Sequence, residues 1–413
     1  MATVRPFKAF RPKPEYAGEV AAKPYDVLNS DEAREEVRGH PLSFLHIGKP
    51  EIDLDPGIDP HDPGVYAKGK ENLQNLIDQE VLVEDPEPYL YVYAQTMEGR
   101  TQYGIVGCAS VEEYWDNTIK KHELTRKDKE EDRCNHVRVT NSHSGPIFLT
   151  YPDNAEIDAI VSKVVLATPE NDHVAVDGIR HQSWVIKDQA TIQKVQQMFE
   201  ATPHLYVADG HHRSAAAGIV GRERKLANPK HRGDEEYNFF LAVCFPANQL
   251  RILDYNRVVK DLSGFATREF FDKLKGKFSV QPVQGRPRLS KKGEFGLYLE
   301  KTWYMLTAAD ELLKNGDPVE RLDVAILQNQ LLDPLLGIKD VRTDKRIDFI
   351  GGIRGMSELE KRVDSGQMKV AFSLFPPSIH ELIAIANAGK IMPPKSTWFE
   401  PKLRDGLFVH FLD

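Results

Sequence analysis

The segment His204-Leu-Tyr-Val-Ala-Asp209-Gly210-His211-His212-Arg213-Ser214-Ala-Ala-Ala217 restricts the fold more than any other stretch of the chain. His204 to Ala208 is apolar and β-prone, so it reads as a strand. Asp209-Gly210 marks a tight turn, and the alanines that follow favour a helix running to about Leu226. A strand that feeds a helix through Asp-Gly leaves the first helical amides unpaired at the strand's carboxyl end. The helix dipole favours negative charge there. Arg213 adds a planar fork suited to phosphate, and His211 and His212 add two donors. Asp209 is placed to hold magnesium or to orient a substrate hydroxyl. The bland alternative is a strand-turn-helix in which Asp209 caps the helix and the histidines are solvated. Five consecutive polar or glycine residues at one junction weigh against it. A metal site from His204, His211 and His212 is the weaker alternative, because adjacent histidines on a helix point about 100° apart.

Three other segments are candidates for chemistry. Gly64-Val-Tyr-Ala-Lys-Gly69-Lys70 fits the start of a phosphate-binding loop, but Glu71 stands where that loop needs a hydroxyl, and no buried strand leads into it. A surface helix is the better expectation. Ile119-Lys-Lys-His122-Glu123-Leu-Thr125 leads into a charged helix with Thr125 as the expected N-cap. Glu123 then sits in a loop, free to act as a base, and Arg133 lies further along, able to reach an anion. By itself such a segment is more often a solvated charged helix. Finally, Ala388 to Lys402 alternates polar and aromatic residues. Its Lys395-Ser396-Thr397 cluster is either a lining for a phosphate site or part of an edge strand.

At about 150 residues per domain, 413 residues suggest two or three domains. The expected class is α+β with a mixed sheet. Expected regions are an N-terminal α/β region over 1–110, a core over 111–265 and a C-terminal α+β domain over 266–413. Expected strands include 89–93 and 101–108 joined by a hairpin turn, 147–151, 239–245 paired with 250–254, 295–299 and 303–306. Helices are expected from Ser30, over 65–80, 155–165 and 189–200. Lys and Arg total 54 against 62 for Asp and Glu, a net charge of −8, which argues against a dedicated nucleic-acid binder. Cys108, Cys134 and Cys244 form no Cys-x-x-Cys pair and no disulfide framework, as expected of a cytoplasmic protein. Met1 to Phe7 lacks a signal-peptide core, and the clearest unbroken apolar run, Phe239 to Phe245, is far short of the roughly 20 residues of a membrane helix.

Taken in order, Pro24–Val27, Phe44–Ile47, His122–Thr125, Glu131–Arg133, Gly145–Tyr151, Ala208–Arg213 and Met392–Lys402 resemble the landmarks of the bacterial domain-of-unknown-function family 1015. The likeness covers nearly the whole chain. Its middle is similar to the ParB/sulfiredoxin superfamily, whose members bind nucleotide phosphates at a strand, a Gly-x-His-Arg-like turn and a helix. Within that superfamily the free-serine-kinase branch carries an Asp-Gly-His-x-Arg turn and an upstream catalytic glutamate. Asp209, Gly210, His211 and Arg213 match the turn, and Glu123 is the best positional match for the glutamate. Sulfiredoxins use a cysteine where this chain has His211, and no basic helix-turn-helix follows the turn as in partitioning proteins.

The resemblance implies a small-molecule kinase that transfers a phosphoryl group from ATP or ADP, with Mg2+, to a small hydroxylated metabolite such as serine or a 2-hydroxy acid. Glu123, Asp209 and His211 are its expected catalytic residues. Gly210, His211, His212, Arg213 and Arg133 are expected to hold the nucleotide, and Asp209 the metal. A homo-oligomer is compatible with this expectation. The alternatives are a nucleotide-binding regulator without turnover and a phosphate-ester hydrolase.

Overall fold

The computed structural model describes residues 1–314 and 316–413. The chain divides into two compact units, residues 1–250 with 401–413, and residues 251–400. The class is mixed α/β, with one large mixed sheet and several smaller sheets.

The large sheet belongs to the first unit. Its strands are β1 (Val4–Arg5), β2 (Leu90–Met97), β3 (Arg100–Ser110), β4 (Ile119–Lys120), β5 (Ile147–Tyr151), β6 (Asn171–Val174), β7 (Arg180–Ile186), β8 (Leu205–Asp209) and β9 (Phe239–Pro246). They lie in the order β4-β8-β5-β9-β3-β2-β7-β6, with β1 added beside β3. β8 pairs parallel to β4 and antiparallel to β5, while β9 runs parallel to β5. Nearly continuous apolar runs in β5 and β9 follow from their central places: every residue of β5 and all but Phe239 in β9 are buried.

The helices of this unit include α1 (Pro63–Asp78), α2 (Lys127–Thr140), α3 (Ala155–Val164), α4 (Gln189–Glu200) and α5 (His211–Ala227). Ile157, Ile160 and Val161 of α3 and Ile192, Val195 and Phe199 of α4 repeat at helical spacing and join the sheet residues in the main core. α2 and α5 pack through Cys134, Val137, Ala216 and Val220. The near-miss phosphate loop at 64–70 lies inside α1, whose first turn is capped by Asp62 and begins with Pro63.

The second unit contains an antiparallel sheet of β10 (Tyr255–Val259), β11 (Phe278–Val283), β12 (Glu294–Leu299), β13 (Thr302–Ala308), β14 (Ile347–Gly351) and β15 (Val370–Leu374), in the order β11-β13-β12-β15-β10-β14. Its later elements include α6 (Ile379–Asn387), opened by a capping box between Ser378 and Glu381.

Strands from 1–110 and 111–265 share one sheet, and the change of unit falls at 250 with a return at 401. Local expectations change. The 250–254 segment does not pair with β9, because both edges of β9 are taken by β3 and β5. Residues 251–253 pair instead with Trp398–Glu400. The helix expected from Ser30 begins there, but its N-cap is Asn29, in a capping box with Glu32, and not Ser30. Among the described residues, no helix is long and apolar enough to cross a membrane.

The approach of β1 to the sheet depends on Gly107. A Cβ there would meet Leu90 and Val4 side-chain carbons at 2.8 Å and the Arg5 carbonyl at 2.9 Å. Backbone cannot yield as a side-chain tip can, so overpacking outweighs the entropy gained by replacing glycine. Gly107→Ala is expected to lower unfolding stability by about 1–3 kcal/mol. The check is a denaturant titration, in which an unchanged midpoint would contradict the packing described.

Candidate functional site

β8 carries the chain into the site through an irregularity. Val207 faces Leu149, yet Asp209 faces Phe148, so Ala208 is the extra residue of a bulge. A bulge bends its strand and re-aims the side chain beyond it. Gly210 follows at φ +90°, a conformation costly for any residue with a Cβ. α5 then begins at His211, with the unpaired amides of its first turn beside the bulge.

Asp209 holds two partners. Its Oδ1 accepts from the Gly210 amide at 2.9 Å, and its Oδ2 accepts from Lys402 Nζ at 2.8 Å. Burial alone would raise this carboxyl, but the charges of Lys402 and Arg213 outweigh it and hold the group down at about 2. Asp209 is therefore an ionised carboxylate with a cation already attached.

Arg213, on the first turn of α5, turns into the protein and pairs with Asp405 at 3.2 Å, both side chains being largely buried. Burial pushes Asp405 up to about 6 even with Arg213 beside it. The pair sits against the backbone of Gly145, where a Cβ would lie 2.5 Å from Asp405 Oδ1 and 2.8 Å from Arg213 Nη1. Arg133 stacks over Tyr25 at 3.9 Å and pairs with Asp132 at 2.8 Å. Arg133, Arg213, Tyr25, Gly145 and Asp405 line one small cavity of about 30 Å³. That is room for a water or two, so a nucleotide must lie outside it. Asp26, next to Tyr25, is near enough to act electrostatically on Arg213 and His212.

On another side of the turn, the ring of His211 meets that of His122 edge to face at 4.5 Å between centroids. Burial holds His122 at about 4 and His211 well below its ordinary value, so both are neutral at pH 7. Among the described residues, Nε2 of His211 has no hydrogen-bond partner, and His122 faces the backbone of Val207. Glu123 joins them, with ligand atoms of the three residues all within 4.8 Å of one another. Two neutral imidazoles and a carboxylate form a donor set that suits zinc or a similar ion better than magnesium, which prefers oxygen alone. His212 stands apart from this cluster, since its Nε2 accepts from the Arg126 amide at 3.1 Å and ties the loop after β4 to α5.

Of the residues singled out in the sequence, Glu123, Asp209, Gly210, His211, His212 and Arg213 thus meet around one turn. Arg133 reaches the same neighbourhood through the Arg213 cavity. Thr125 does not cap α2. The cap position falls on Arg126, and the Thr125 hydroxyl donates to Glu130 at 2.6 Å. The lysine at the turn is Lys402, whereas Lys395 and Ser396 belong to the second unit. Sequence reasoning also missed His122, Asp405, Gly145 and Asp26 as site residues. Three of these stand in the landmark motifs at 24–27, 122–125 and 145–151, and that recurrence was the available signal.

No curated protein matches the chain. Among solved structures, a conserved hypothetical protein from Pyrococcus furiosus is 15% identical, with a TM-score of 0.35 over 75% of this chain and 95% of that one. A free serine kinase in complex with AMP is 13% identical, with a TM-score of 0.35 over 74% and 91%. SbnI from Staphylococcus aureus, with a C-terminal truncation, is 11% identical, with a TM-score of 0.40 over 74% and 87%. At these scores the likeness is partial, and the chemistry of the site rests on the chain's own residues. Residues 4–325 match the family described as "Protein of unknown function (DUF1015)", and a match over that share of the chain places the protein in that family.

Proposed function

We propose that the protein is a small-molecule kinase built on a ParB/sulfiredoxin-like core. It transfers a phosphoryl group from ATP or ADP to the hydroxyl of a small metabolite, such as serine or a 2-hydroxy acid. One juxtaposition carries this proposal: Glu123 lies beside His211 at the mouth of an anion-favouring helix N-terminus that also gathers Lys402 and Arg213. Phosphoryl transfer relies mostly on positioning and charge stabilisation, and these groups supply both.

In this scheme the nucleotide phosphates rest on the first-turn amides of α5, with Gly210 leaving the approach open and His212 at its side. Glu123 accepts the proton of the substrate hydroxyl. The hydroxyl oxygen bonds to the transferred phosphorus as the bond to the leaving phosphate oxygen breaks. Lys402, held in place by Asp209, neutralises the charge that develops, and Arg213 adds a second positive charge tempered by Asp405. Asp209 would hold a magnesium ion through the lone pairs that Lys402 and the Gly210 amide leave open, and the ion would supply further neutralisation of the phosphates. Arg133 holds the Tyr25 loop against the site.

A phosphate-ester hydrolase is the second reading, favoured by the His122, Glu123 and His211 donor set. The two separate in one assay. A kinase consumes nucleotide only when a small alcohol is present, and a hydrolase consumes it without one, in step with added zinc.

If Glu123 is the base, Glu123→Gln keeps the shape and removes the basicity. Turnover should fall about 10²–10⁴-fold with nucleotide affinity nearly unchanged. Steady-state kinetics alongside calorimetric nucleotide titration check this, and an undiminished rate would remove Glu123 from the mechanism.

Removing Arg213 alone would strand Asp405 as a buried charge. The informative variant is therefore Arg213→Ala combined with Asp405→Asn. It should weaken nucleotide binding by about 1 kcal/mol, the worth of a through-space charge interaction in a partly solvated site. Unchanged affinity in the folded double variant would refute the role of Arg213.

The third expectation concerns pH. Asp209 is held at about 2, below the ordinary 3.8, so its contribution to stability is present above about pH 4 and is lost as pH falls towards 2. In Lys402→Met the opposing cation is gone and burial dominates, so the carboxyl should titrate higher. Carboxyl-carbon NMR of both proteins measures this directly, and an unshifted Asp209 would show that Lys402 does not set its charge.

A further inference from the structure

Buried arginines in the first unit have carboxylate partners. Arg213 pairs with Asp405, Arg11 with Asp85 at 2.6 Å, and Arg404 with Asp177. Arg257, on β10 of the second unit, does not follow this pattern. It is 2% exposed, and its guanidinium donates only to backbone carbonyls, those of Tyr255 and of Lys395, the latter at 2.9 Å, with Pro394 at 3.5 Å. Among the described residues, no carboxylate lies within ion-pair distance of it. Burial pushes the guanidinium down to about 9, the opposite of the rise that Asp85 and Asp405 produce in Arg11 and Arg213. Carbonyl dipoles satisfy hydrogen bonds but leave the net charge uncompensated.

Arg257 lines a cavity of about 380 Å³. Lys292, Asp323, Ser378 and Ser396 share the lining, with apolar walls from Leu322, Leu374 and two prolines. Lys292 is neutralised by Glu381, which is also the capping-box residue of α6. Asp323 is 6% exposed and accepts the Gly293 amide on both oxygens, at 2.9 and 3.0 Å. Burial raises its carboxyl to about 7, so it titrates in the physiological range and favours a donor brought to it. A cavity with a few placed polar groups on apolar walls is the usual form of a small-ligand site.

We propose that this cavity binds a small organic monocarboxylate, its carboxylate on Arg257 and a hydroxyl or amine on the adjacent carbon directed to Asp323. The bidentate match between guanidinium and carboxylate supplies the missing counter-charge. Asp323 selects acids that carry a second polar group over plain ones. The site lies wholly within the second unit and is independent of the kinase proposal, since none of its residues enters that mechanism.

The test is calorimetric titration of the full chain with lactate, alanine, propionate and inorganic phosphate. Lactate or alanine should bind, propionate about tenfold or more weakly, the equivalent of one lost hydrogen bond to a charged group, and phosphate not measurably. Arg257→Gln should abolish binding. Should that variant fail to fold, Asp323→Asn decides. It keeps the packing and an acceptor but removes the charge, so the preference over propionate should shrink several-fold. Arg257→Gln should leave nucleotide turnover unchanged while losing the acid, which separates this site from the kinase proposal. Absence of binding by every acid, phosphate binding as well as the carboxylates, or an undiminished preference in Asp323→Asn would each overturn the assignment.

Discussion

Everything around the turn at 209–213 depends on two ion pairs that the last residues of the chain complete. Asp405 meets Arg213, and Lys402 meets Asp209. Without them the largely buried Arg213 and the half-buried Asp209 would each lose their nearest opposite charge, leaving their own mutual attraction and Asp26 to offset desolvation. With them, the same turn carries a fixed arrangement of positive groups beside unpaired helix amides. The segment 401–413 is therefore structural and chemical at once. It returns from the second unit to supply charge where β8 and α5 need it.

Backbone geometry then decides where those charges point. The bulge at Ala208 re-aims Asp209, and Gly210 takes the left-handed conformation that lets α5 start immediately after the strand. Gly145 removes the Cβ that would displace the Arg213–Asp405 pair. Burial has the opposite effect on the histidines. His122 and His211 are desolvated enough to stay neutral, so their nitrogens remain available as ligands or acceptors next to Glu123. One turn thus has a cationic side, built on Lys402 and Arg213, and a neutral imidazole side, built on the two histidines.

The second unit treats charge differently. Its buried arginine is stabilised by carbonyls at the β10 register and the 394–395 loop, and its counter-charge is left to the cavity. A charge that is paired internally organises a site, as Asp405 does for Arg213. One left open to a cavity selects what enters it.

Local pattern alone determined the strand-turn-helix at 204–217, the hairpin of β2 and β3, the amphipathic helices α3 and α4, and the grouping of polar residues at 209–213. Each rests on neighbours within one turn or one strand, where propensity and period act directly. The motifs that linked the chain to its family were legible for the same reason. Tertiary structure alone decided that β3 and β5 occupy both edges of β9, sending the 251–253 strand to a partner almost 150 positions away. It also decided that Lys402, and not Lys395, reaches Asp209. Contacts between distant positions follow from sheet order and chain return, and those are set by how several faces bury one another, which no single stretch of residues encodes.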